Sequence, residues 1–225
     1  TEHMADSDYW DVPNSMFLSH DYAHERLKDI NFKKATDSQL VEHGNPYSNQ
    51  SEETTHYSII DSEGNAVSVT TTINSGYGNG ITVTGAGFLL NNEMDDFSSK
   101  PGEPNMFGLL GNEANAIEPK KRPLSSMTPT IVLKDDSPFL ILGSPGGSTI
   151  ITTVMQNILN VIVHDMNIQE AVSSPRVHSQ WLPDMVFHEK NGLSQEIIDE
   201  LKKMGHDVRM RGSIGEANGI MINEK

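Results

Sequence analysis

The sequence has no cysteine among its 225 residues. It can therefore form no disulfide and offers no thiolate as a nucleophile or zinc ligand, although this leaves the redox compartment open. Basic residues are also few, with 16 Lys and Arg against 31 Asp and Glu and a formal net charge of −15. Because nucleic-acid affinity depends on clustered Lys and Arg contacts to phosphates, this balance argues against nucleic-acid binding.

Long apolar runs are lacking as well. No stretch reaches the roughly 18 apolar residues of a membrane-spanning helix. The chain opens with the polar, acidic stretch TEHMADSDYW, so any targeting segment has been removed or was never in this stretch. Hydrophobic residues still make up 36% of the sequence, enough to form a core. We predict a soluble globular protein with an acidic surface.

Apolar spacing and turn-forming residues predict an α+β layered domain, in which strands come first and helices pack on them. The predicted strands are 55–60, 66–72, 86–91, 129–133, 138–142, 207–210 and 218–222. The predicted helices are 19–30, 150–162, 167–173 and 194–204. Because 129–133 and 138–142 are almost continuously apolar, we expect them in a sheet covered on both faces.

The junction between a polar stretch and the first strand is the most informative segment. Residues 31–53 are either an ordinary surface loop or an exposed segment that leads to a processing site. The strand that follows begins with TTHYS. If Thr54 were a first residue, its α-amino group, with a pKa of roughly 7.7–8.0, could take the proton of its own hydroxyl. The pattern fits autocleavage between Glu53 and Thr54, but a Thr-Thr pair is also ordinary strand composition.

The segment SPGGS joins an apolar strand to the strongest predicted helix. Gly146 and Gly147 let backbone N–H groups face outward at a helix start, which suits an oxyanion or another anion. A tight strand-to-helix turn explains the same residues at least as well. The lysine of a phosphate-binding loop is absent, so nucleotide binding is not predicted.

Two further polar segments could recognise a substrate. NNEMDDF places Glu93 and Asp96 together after a strand, which suits a substrate ammonium group, a solvated acidic turn or half of a metal site. RPLSSM carries the adjacent Ser125 and Ser126. The nine histidines are scattered and form no HExxH motif, so we predict structural or surface roles for them.

Taken in order, these segments closely resemble γ-glutamyltranspeptidases from about Thr54 to at least Trp181. The segments are TTHYS, GNAVSVTTTIN, LLNNEMDDFS, KKRPLSSM, TPTIVL, GSPGGS and QWLPD. The resemblance implies the N-terminal-nucleophile hydrolase fold, a four-layer αββα sandwich of two subunits cut from one precursor. By this resemblance, 1–53 is the end of the large subunit with the pre-cleavage linker. Residues 54–225 are the small catalytic subunit, truncated at its C-terminus.

The resemblance also implies an autoprocessed γ-glutamyl hydrolase/transferase that acts on glutathione and related compounds through a γ-glutamyl-threonine ester. Water, an amino acid or a peptide would be the acceptor, and the large subunit would be the protein partner. Carried over by position, the catalytic set is the nucleophile Thr54, the orienting Thr72, and the oxyanion-hole residues Gly146 and Gly147. The substrate-binding set is Asn74, Glu93 and Asp96 for the α-amino group, and Ser125 and Ser126 for the α-carboxylate. No cofactor or metal ion is expected.

The chain departs from the family pattern in places. The lid-like loop 101–113 has Phe107 where some members have a gating tyrosine, so we expect looser gating. Thr149 follows GGS where an arginine is common. The family's large subunit supplies an arginine to the substrate carboxylate, and most of that subunit is missing here. We therefore expect little or no activity from the isolated 225-residue chain.

Two alternatives remain at this stage. One is a related N-terminal-nucleophile amidohydrolase that acts on poly-γ-glutamate or a β-lactam acyl group. The other is a processing-incompetent homologue that only binds ligand. By analogy with bacterial members, we expect a periplasmic or secreted protein. Asn49-Gln50-Ser51 fits a glycosylation sequon, which matters only on a eukaryotic secretory route.

Overall fold

The computed structural model describes residues 3–28, 30–41, 54–98, 100, 113–181 and 183–223. Its helices are α1 (Asn14–Phe17), α2 (His20–Leu27), α3 (Thr149–Ile162), α4 (Ile168–Ser173) and α5 (Gln195–Met204). Its strands are β1 (Thr54–Ile60), β2 (Ala66–Thr72), β3 (Thr130–Lys134), β4 (Ser137–Gly143), β5 (Val177–His178), β6 (Val186–His188), β7 (Val208–Met210) and β8 (Asn218–Met221). The segment 42–53 with its sequon, and Phe107 in the lid-like loop, lie outside the described residues.

The strands form three sheets. β1 and β2 make an antiparallel hairpin, and β4 lies between β3 and β8 in an antiparallel sheet. In the third sheet, β6 runs antiparallel to β5 and parallel to β7. The predicted α+β class is confirmed, with strands first and the longer helices after them.

The β1–β2 hairpin follows from its composition and its turn. Both strands are rich in β-branched residues, which favour extended backbone. In the turn, Asp61 Oδ1 accepts the N–H of Asn65 at 2.9 Å, and Gly64 adopts a φ of 88°. The resulting register places Thr54 directly opposite Thr72. The predicted hairpin is confirmed over its whole length.

The hydrophobic core lies between β4 and α3. Its buried members are Leu140, Leu142, Ile150, Val154, Val161 and Ala171. The expectation of a sheet covered on both faces holds for β4, whose last four residues are buried. It is wrong for β3 in the part of the chain that is described, because β3 is an edge strand and exposes Ile131 and Leu133.

The hairpin forms a second layer against β4. Ser58 Oγ donates to the Ile141 carbonyl at 3.3 Å, and Ser68 Oγ donates to the Leu142 carbonyl at 3.0 Å. The His56 ring lies over Gly143, where an added Cβ would be 2.2 Å from Nδ1. Glycine is therefore required for this close approach. Together the hairpin, the β4 sheet and α3 give two strand layers and one helical layer.

The helix ends agree with their capping residues. Ser194 Oγ accepts the N–H of Ile197 at the start of α5, and Gly205, at a φ of 103°, ends it. Asn167 and Glu170 form a capping box on α4. The helix predicted at 19–30 is confirmed but ends earlier, at Leu27.

One predicted strand is wrong, and two short ones were missed. Residues 86–91 form no strand; a single bridge pairs Leu89 with Thr82. Gly85 and Gly87 both have positive φ there, so the backbone turns instead of extending. β5 and β6 were not predicted, since two or three residues are too few to show an alternating pattern.

Candidate active site

An open cleft of about 320 Å³ lies where β1 begins and β2 ends. Its lining comprises Thr54, Thr55, Thr71, Thr72, Ile73 and Gly76. Thr54 and Thr72 are opposite each other in the ladder, so their side chains lie on the same face of the hairpin. Two threonine side chains thus lie on one face beside a cavity, one of them at the first position of a strand.

Asn74 fixes the backbone just after β2. It adopts a φ of 75° and is only 7% exposed. Its N–H donates to Thr72 Oγ1 at 2.9 Å, and its Nδ2 donates to the Asn92 carbonyl at 3.2 Å. The residue therefore contacts the Thr72 hydroxyl and ties the end of the hairpin to the acidic segment.

Asn92 makes further hydrogen bonds between the acidic segment and the residues that follow β2. Its Oδ1 accepts both the N–H and the hydroxyl of Ser75, at 3.0 and 3.2 Å. Its own N–H donates to the Ile73 carbonyl at 3.2 Å. The short 3-10 helix Glu93–Asp96 starts at the next residue. The two predicted carboxylates are consequently anchored next to the end of β2.

The carboxyl group of Asp96 is strongly perturbed. Burial, a hydrogen bond with the Glu93 side chain and the negative charges of Glu93 and Asp95 raise the pKa of Asp96 to about 7. Adjacent carboxylates cannot all ionise at low cost without a counter-charge. A cation placed here would favour the ionised form of Asp96.

Asn115 connects this acidic segment to the predicted serine pair. Its Nδ2 donates to the Asp96 carbonyl at 2.7 Å, and its Oδ1 accepts the Leu124 N–H at 3.0 Å. Ser125, exposed, and Ser126, half-buried, follow Leu124 directly. Ser125 Oγ accepts the Met127 N–H at 3.1 Å, which shapes the turn after it.

The start of the serine segment is also bound to residues from before Thr54. Asp6, whose side chain is 1% exposed, accepts hydrogen bonds from the N–H and Nε of Arg122 at 2.9 and 3.0 Å. Hydrogen bonds from Arg122 hold the pKa of Asp6 well below its usual range. Tyr9 adds a bond from its hydroxyl to the Pro119 carbonyl at 3.0 Å.

Gly146 and Gly147 form the turn between β4 and α3, with φ values of 131° and 55°. A Cβ on Gly146 would lie 2.5 Å from Thr149 Oγ1. Thr149, fully buried, donates its hydroxyl to the Gly146 carbonyl at 2.7 Å and its N–H to the same oxygen at 3.0 Å. The residue that stands where an arginine is common therefore braces this turn.

A polar network around the buried His178 continues from the turn. The Ser148 hydroxyl and His178 Nε2 both bond Gln180 Oε1, and His178 Nδ1 lies 2.7 Å from Thr152 Oγ1. Burial lowers the pKa of His178. His178 thus bridges Thr152 on α3 and Gln180, with one ring nitrogen toward each.

These geometries can be set beside known proteins. A γ-glutamyltranspeptidase family model matches residues 1–225. The chain belongs to the γ-glutamyltranspeptidase family. The glutathione hydrolase proenzyme of Escherichia coli (strain K12) is 46% identical over 222 residues, which cover 99% of this chain and 38% of that protein. The chain thus spans less than two fifths of this curated relative.

Solved structures agree with the family assignment. A Helicobacter pylori γ-glutamyltranspeptidase mutant is 60% identical with a TM-score of 0.73, covering 76% of this chain and 92% of that one. A cephalosporin acylase from Bacillus halodurans, 24% identical, shares the fold with a TM-score of 0.79, covering 99% of this chain and 38% of that one. The predicted N-terminal-nucleophile hydrolase fold is confirmed.

The candidate residues of this γ-glutamyltranspeptidase chain fall into three places. Thr54 and Thr72 share the cleft, and Asn74 adjoins it. Glu93 and Asp96 are linked to that end of the hairpin through Asn92, and Ser125 and Ser126 are linked to Asp96 through Asn115. Gly146 and Gly147 follow the strand that packs on the hairpin. As far as the chain is described, the cleft lining does not include Gly146, Gly147 or any residue of 93–96 or 125–126.

Sequence reasoning missed the two connecting asparagines. Asn92 had a signal, since it stands within the NNEMDDF motif beside the carboxylates, whereas Asn115 lies in no recognised motif. Within the described ranges no group of three or more His, Asp or Glu side chains could hold a metal ion. No helix in those ranges is long and apolar enough to cross a membrane.

Proposed function

We propose that this protein is a γ-glutamyl hydrolase/transferase that acts on glutathione and related γ-glutamyl compounds. The observation that carries the proposal is the pairing of Thr54 with Thr72 beside an open cleft, at the first position of β1. The name of the Escherichia coli relative, a glutathione hydrolase proenzyme, supports both the substrate class and a precursor that is processed.

The proposed chemistry starts with cleavage before Thr54, which frees its α-amino group. That amine takes the proton as Thr54 Oγ attacks the substrate γ-carbonyl. The C–N bond then breaks, the leaving amine takes the proton, and a γ-glutamyl ester remains on Thr54. Water or an acceptor amine next attacks this ester and restores the hydroxyl. Thr72 orients the nucleophile throughout.

Backbone N–H groups at Gly146 and Gly147 are the proposed oxyanion donors. Loss of one such donor typically costs about 2.7–4 kcal/mol in the transition state. The positive φ of both glycines and the Thr149 bonds to the Gly146 carbonyl support a preformed turn. Such a turn needs little reorganisation when charge develops on the substrate oxygen.

The glutamyl head group is the proposed determinant of specificity. Asn74, Glu93 and Asp96 bind its α-ammonium group, and Ser125 and Ser126 bind its α-carboxylate. The raised pKa of Asp96, to about 7, supports an ammonium site because a cation would relieve the crowding of negative charge there.

The proposed organisation is a heterodimer. Residues 1–53 belong to the end of the large subunit and its linker, and 54–225 to the small subunit. Bonds from Arg122 Nε to the Asp6 carboxylate, at 3.0 Å, and from Trp181 Nε1 to the Ser38 carbonyl, at 2.7 Å, support continued association across the proposed cut. By analogy with its relatives, we also propose export to the periplasm or the medium.

The test measures two properties of the full-length protein, its intact mass and its turnover of a γ-glutamyl anilide. Wild type should give two polypeptides, the smaller beginning at Thr54. Thr54→Ala should stay uncut and lose at least about 10³-fold in turnover, whereas Thr54→Ser keeps a hydroxyl and both activities in part. Undiminished turnover by Thr54→Ala would rule out the mechanism.

Substrate class is tested with a second compound, the same anilide with its α-amino group acetylated. Because the acidic site would then lack its cation, kcat/KM should fall at least about 10²-fold. Equal turnover of both compounds would favour a related amidohydrolase instead. Absence of cleavage and turnover in wild type would favour a ligand-binding homologue.

A further inference from the structure

Asn115 connects the acidic segment, at Asp96, with the start of the serine segment, at Leu124. It ends the 3-10 helix Glu113–Asn115 and is 5% exposed. Its side-chain Nδ2 donates to the Asp96 carbonyl at 2.7 Å, and its Oδ1 accepts the Leu124 N–H at 3.0 Å. Its own carbonyl accepts the Ser98 N–H at 2.9 Å.

The polarity of these partners demands an amide. A backbone carbonyl can only accept and a backbone N–H can only donate, so the side chain must offer one donor and one acceptor. Ionised aspartate at this position would set an oxygen against the Asp96 carbonyl, and an apolar residue would deprive the Asp96 carbonyl and the Leu124 N–H of this partner.

The two segments joined by Asn115 lie outside the named strands. Among the residues that the structure describes here, one isolated bridge, between Ser98 and Ala116, provides a ladder contact. The separation between the acidic segment and the serine segment therefore depends on side-chain hydrogen bonds. A buried amide that makes both bonds holds the two segments at a fixed distance, and we call it a spacer.

We propose that Asn115 is a positioning residue that sets the distance between the carboxylates Glu93 and Asp96 and the serines Ser125 and Ser126. This inference rests on the proposed function, in which the first pair binds the α-ammonium group of the γ-glutamyl substrate and the second binds its α-carboxylate. Because both charged groups sit on one carbon atom, the site must hold its two halves at one fixed spacing.

The first test compares Asn115→Ala with wild type in the full-length protein, using a γ-glutamyl anilide. Since displacement by about 1 Å can cost about 10²-fold, we expect kcat/KM to fall about 10- to 100-fold, mostly through KM. Cleavage before Thr54 should proceed as in wild type, because the hairpin is held independently. Unchanged KM would overturn the proposal.

Asn157 provides a matched control. It is 1% exposed, and its Nδ2 donates to the Thr153 carbonyl at 2.8 Å within α3, away from the recognition segments. Asn157→Ala should keep kcat and KM within about twofold even if it lowers stability. An equal rise of KM in this control would assign the effect to general destabilisation and overturn the proposal.

Asn115→Asp is a conservative variant whose activity should depend on pH in a way that the activity of Asn115→Ala does not. When protonated, its carboxyl group again has one donor and one acceptor; when ionised, it has no donor. Its kcat/KM relative to wild type should therefore recover as pH falls, while the ratio for Asn115→Ala stays flat. Using the ratio at each pH removes the pH dependence that the variant and wild type share. Parallel ratios for both variants would count against the proposal.

Hydrogen exchange separates this inference from the proposed function. In Asn115→Ala, the peptide that spans 122–127 should exchange faster because the Leu124 N–H has lost its acceptor, while β1 should be unaffected. If wild type turned over no γ-glutamyl compound, the proposed function would fail. Exchange alone would then decide: faster exchange at 122–127 supports the spacer, and unchanged exchange overturns it.

Discussion

The hairpin that carries Thr54 is held by backbone pairing, whereas the loops that carry Asp96 and Ser125 are held by asparagine side chains. We call β1, β2, β4 and the turn 144–148 the hairpin half, and 91–98 with 113–127 the loop half. In the hairpin half, the seven-residue register of β1 and β2 sets the face on which each of their side chains lies. In the loop half, Asn92 and Asn115 make the connections.

The difference has a consequence for mutation. In a ladder, many backbone hydrogen bonds hold the strands together. The loss of one side chain remote from the reacting atoms should therefore change activity little. The loop half has no such ladder and relies on fewer hydrogen bonds, so remote residues there should affect substrate binding. Changes in the hairpin half should act on kcat, and changes in the loop half on KM.

After the loss of the nucleophile Thr54 itself, the largest effect is expected for Gly146→Ala in the hairpin half. A Cβ would lie 2.5 Å from Thr149 Oγ1 at a φ of 131°, so the turn must move and carry the proposed oxyanion donor with it. Turnover should fall about 10²- to 10³-fold through kcat. Steady-state kinetics on a γ-glutamyl anilide would measure it.

Gly64→Ala is the matched control for backbone strain. Gly64 has a φ of 88°, but a Cβ there would meet nothing within 4 Å. This variant should lose some thermal stability and keep kcat within about twofold. Similar kcat values for the two variants would contradict a special role for the turn at Gly146.

A smaller effect is expected in the loop half, from the titration of Asp96. Burial, the Glu93 hydrogen bond and nearby negative charges raise its pKa to about 7. Because an ammonium group prefers the ionised carboxylate, KM should fall about tenfold as pH rises from about 6 to about 8. Asp96→Asn should bind weakly and show no such change, which KM measured across this range would test.

The same group predicts a stability change with the opposite sign. Between its ordinary value of 3.8 and about 7, the folded state holds a proton on Asp96 that the unfolded chain has lost. The free energy of unfolding should thus decline as pH rises through this window. Asp96→Asn should lack that decline, and a decline equal to wild type in this variant would assign the titration to another group.

The smallest effect is expected for Thr149→Val. The side chain keeps its shape but loses the hydroxyl that donates to the Gly146 carbonyl at 2.7 Å. That oxygen keeps its bond from the Thr149 N–H, so the free energy of unfolding should fall by only about 1 kcal/mol. Chemical denaturation would measure this, and kcat should change less than in Gly146→Ala. A loss of kcat as large as that of Gly146→Ala would contradict this ranking.

The structure of the hairpin half could be predicted from the sequence better than that of the loop half, for physical reasons. β-branched runs, the turn at Gly64 and the helix caps Ser194 and Gly205 are local signals, and they predicted the hairpin and the main helices. The loop half has no period of its own. Just before the loop half, the strand predicted at 86–91 was wrong because an apolar run outweighed Gly85 and Gly87, which turn the chain.

The candidate site shows the same division. Thr54, Thr72 and the SPGGS turn belong to motifs with a recognisable chemistry, and the structure places Thr54 opposite Thr72. The connection from Asp96 through Asn115 to Leu124 joins residues distant in sequence, and only tertiary structure brings them together. An isolated asparagine outside a motif carries no local trace of such a bond.

The ladder between β1 and β2 reaches all the way to Thr54. Chain ends usually fray, since a terminal residue loses restraint on one side. An amino terminus created at Thr54 would instead belong to a paired residue, with its neighbours already confined by the opposite strand. Much of the entropy needed to aim such an amine and hydroxyl at a carbonyl would then be lost during folding, before any substrate arrives.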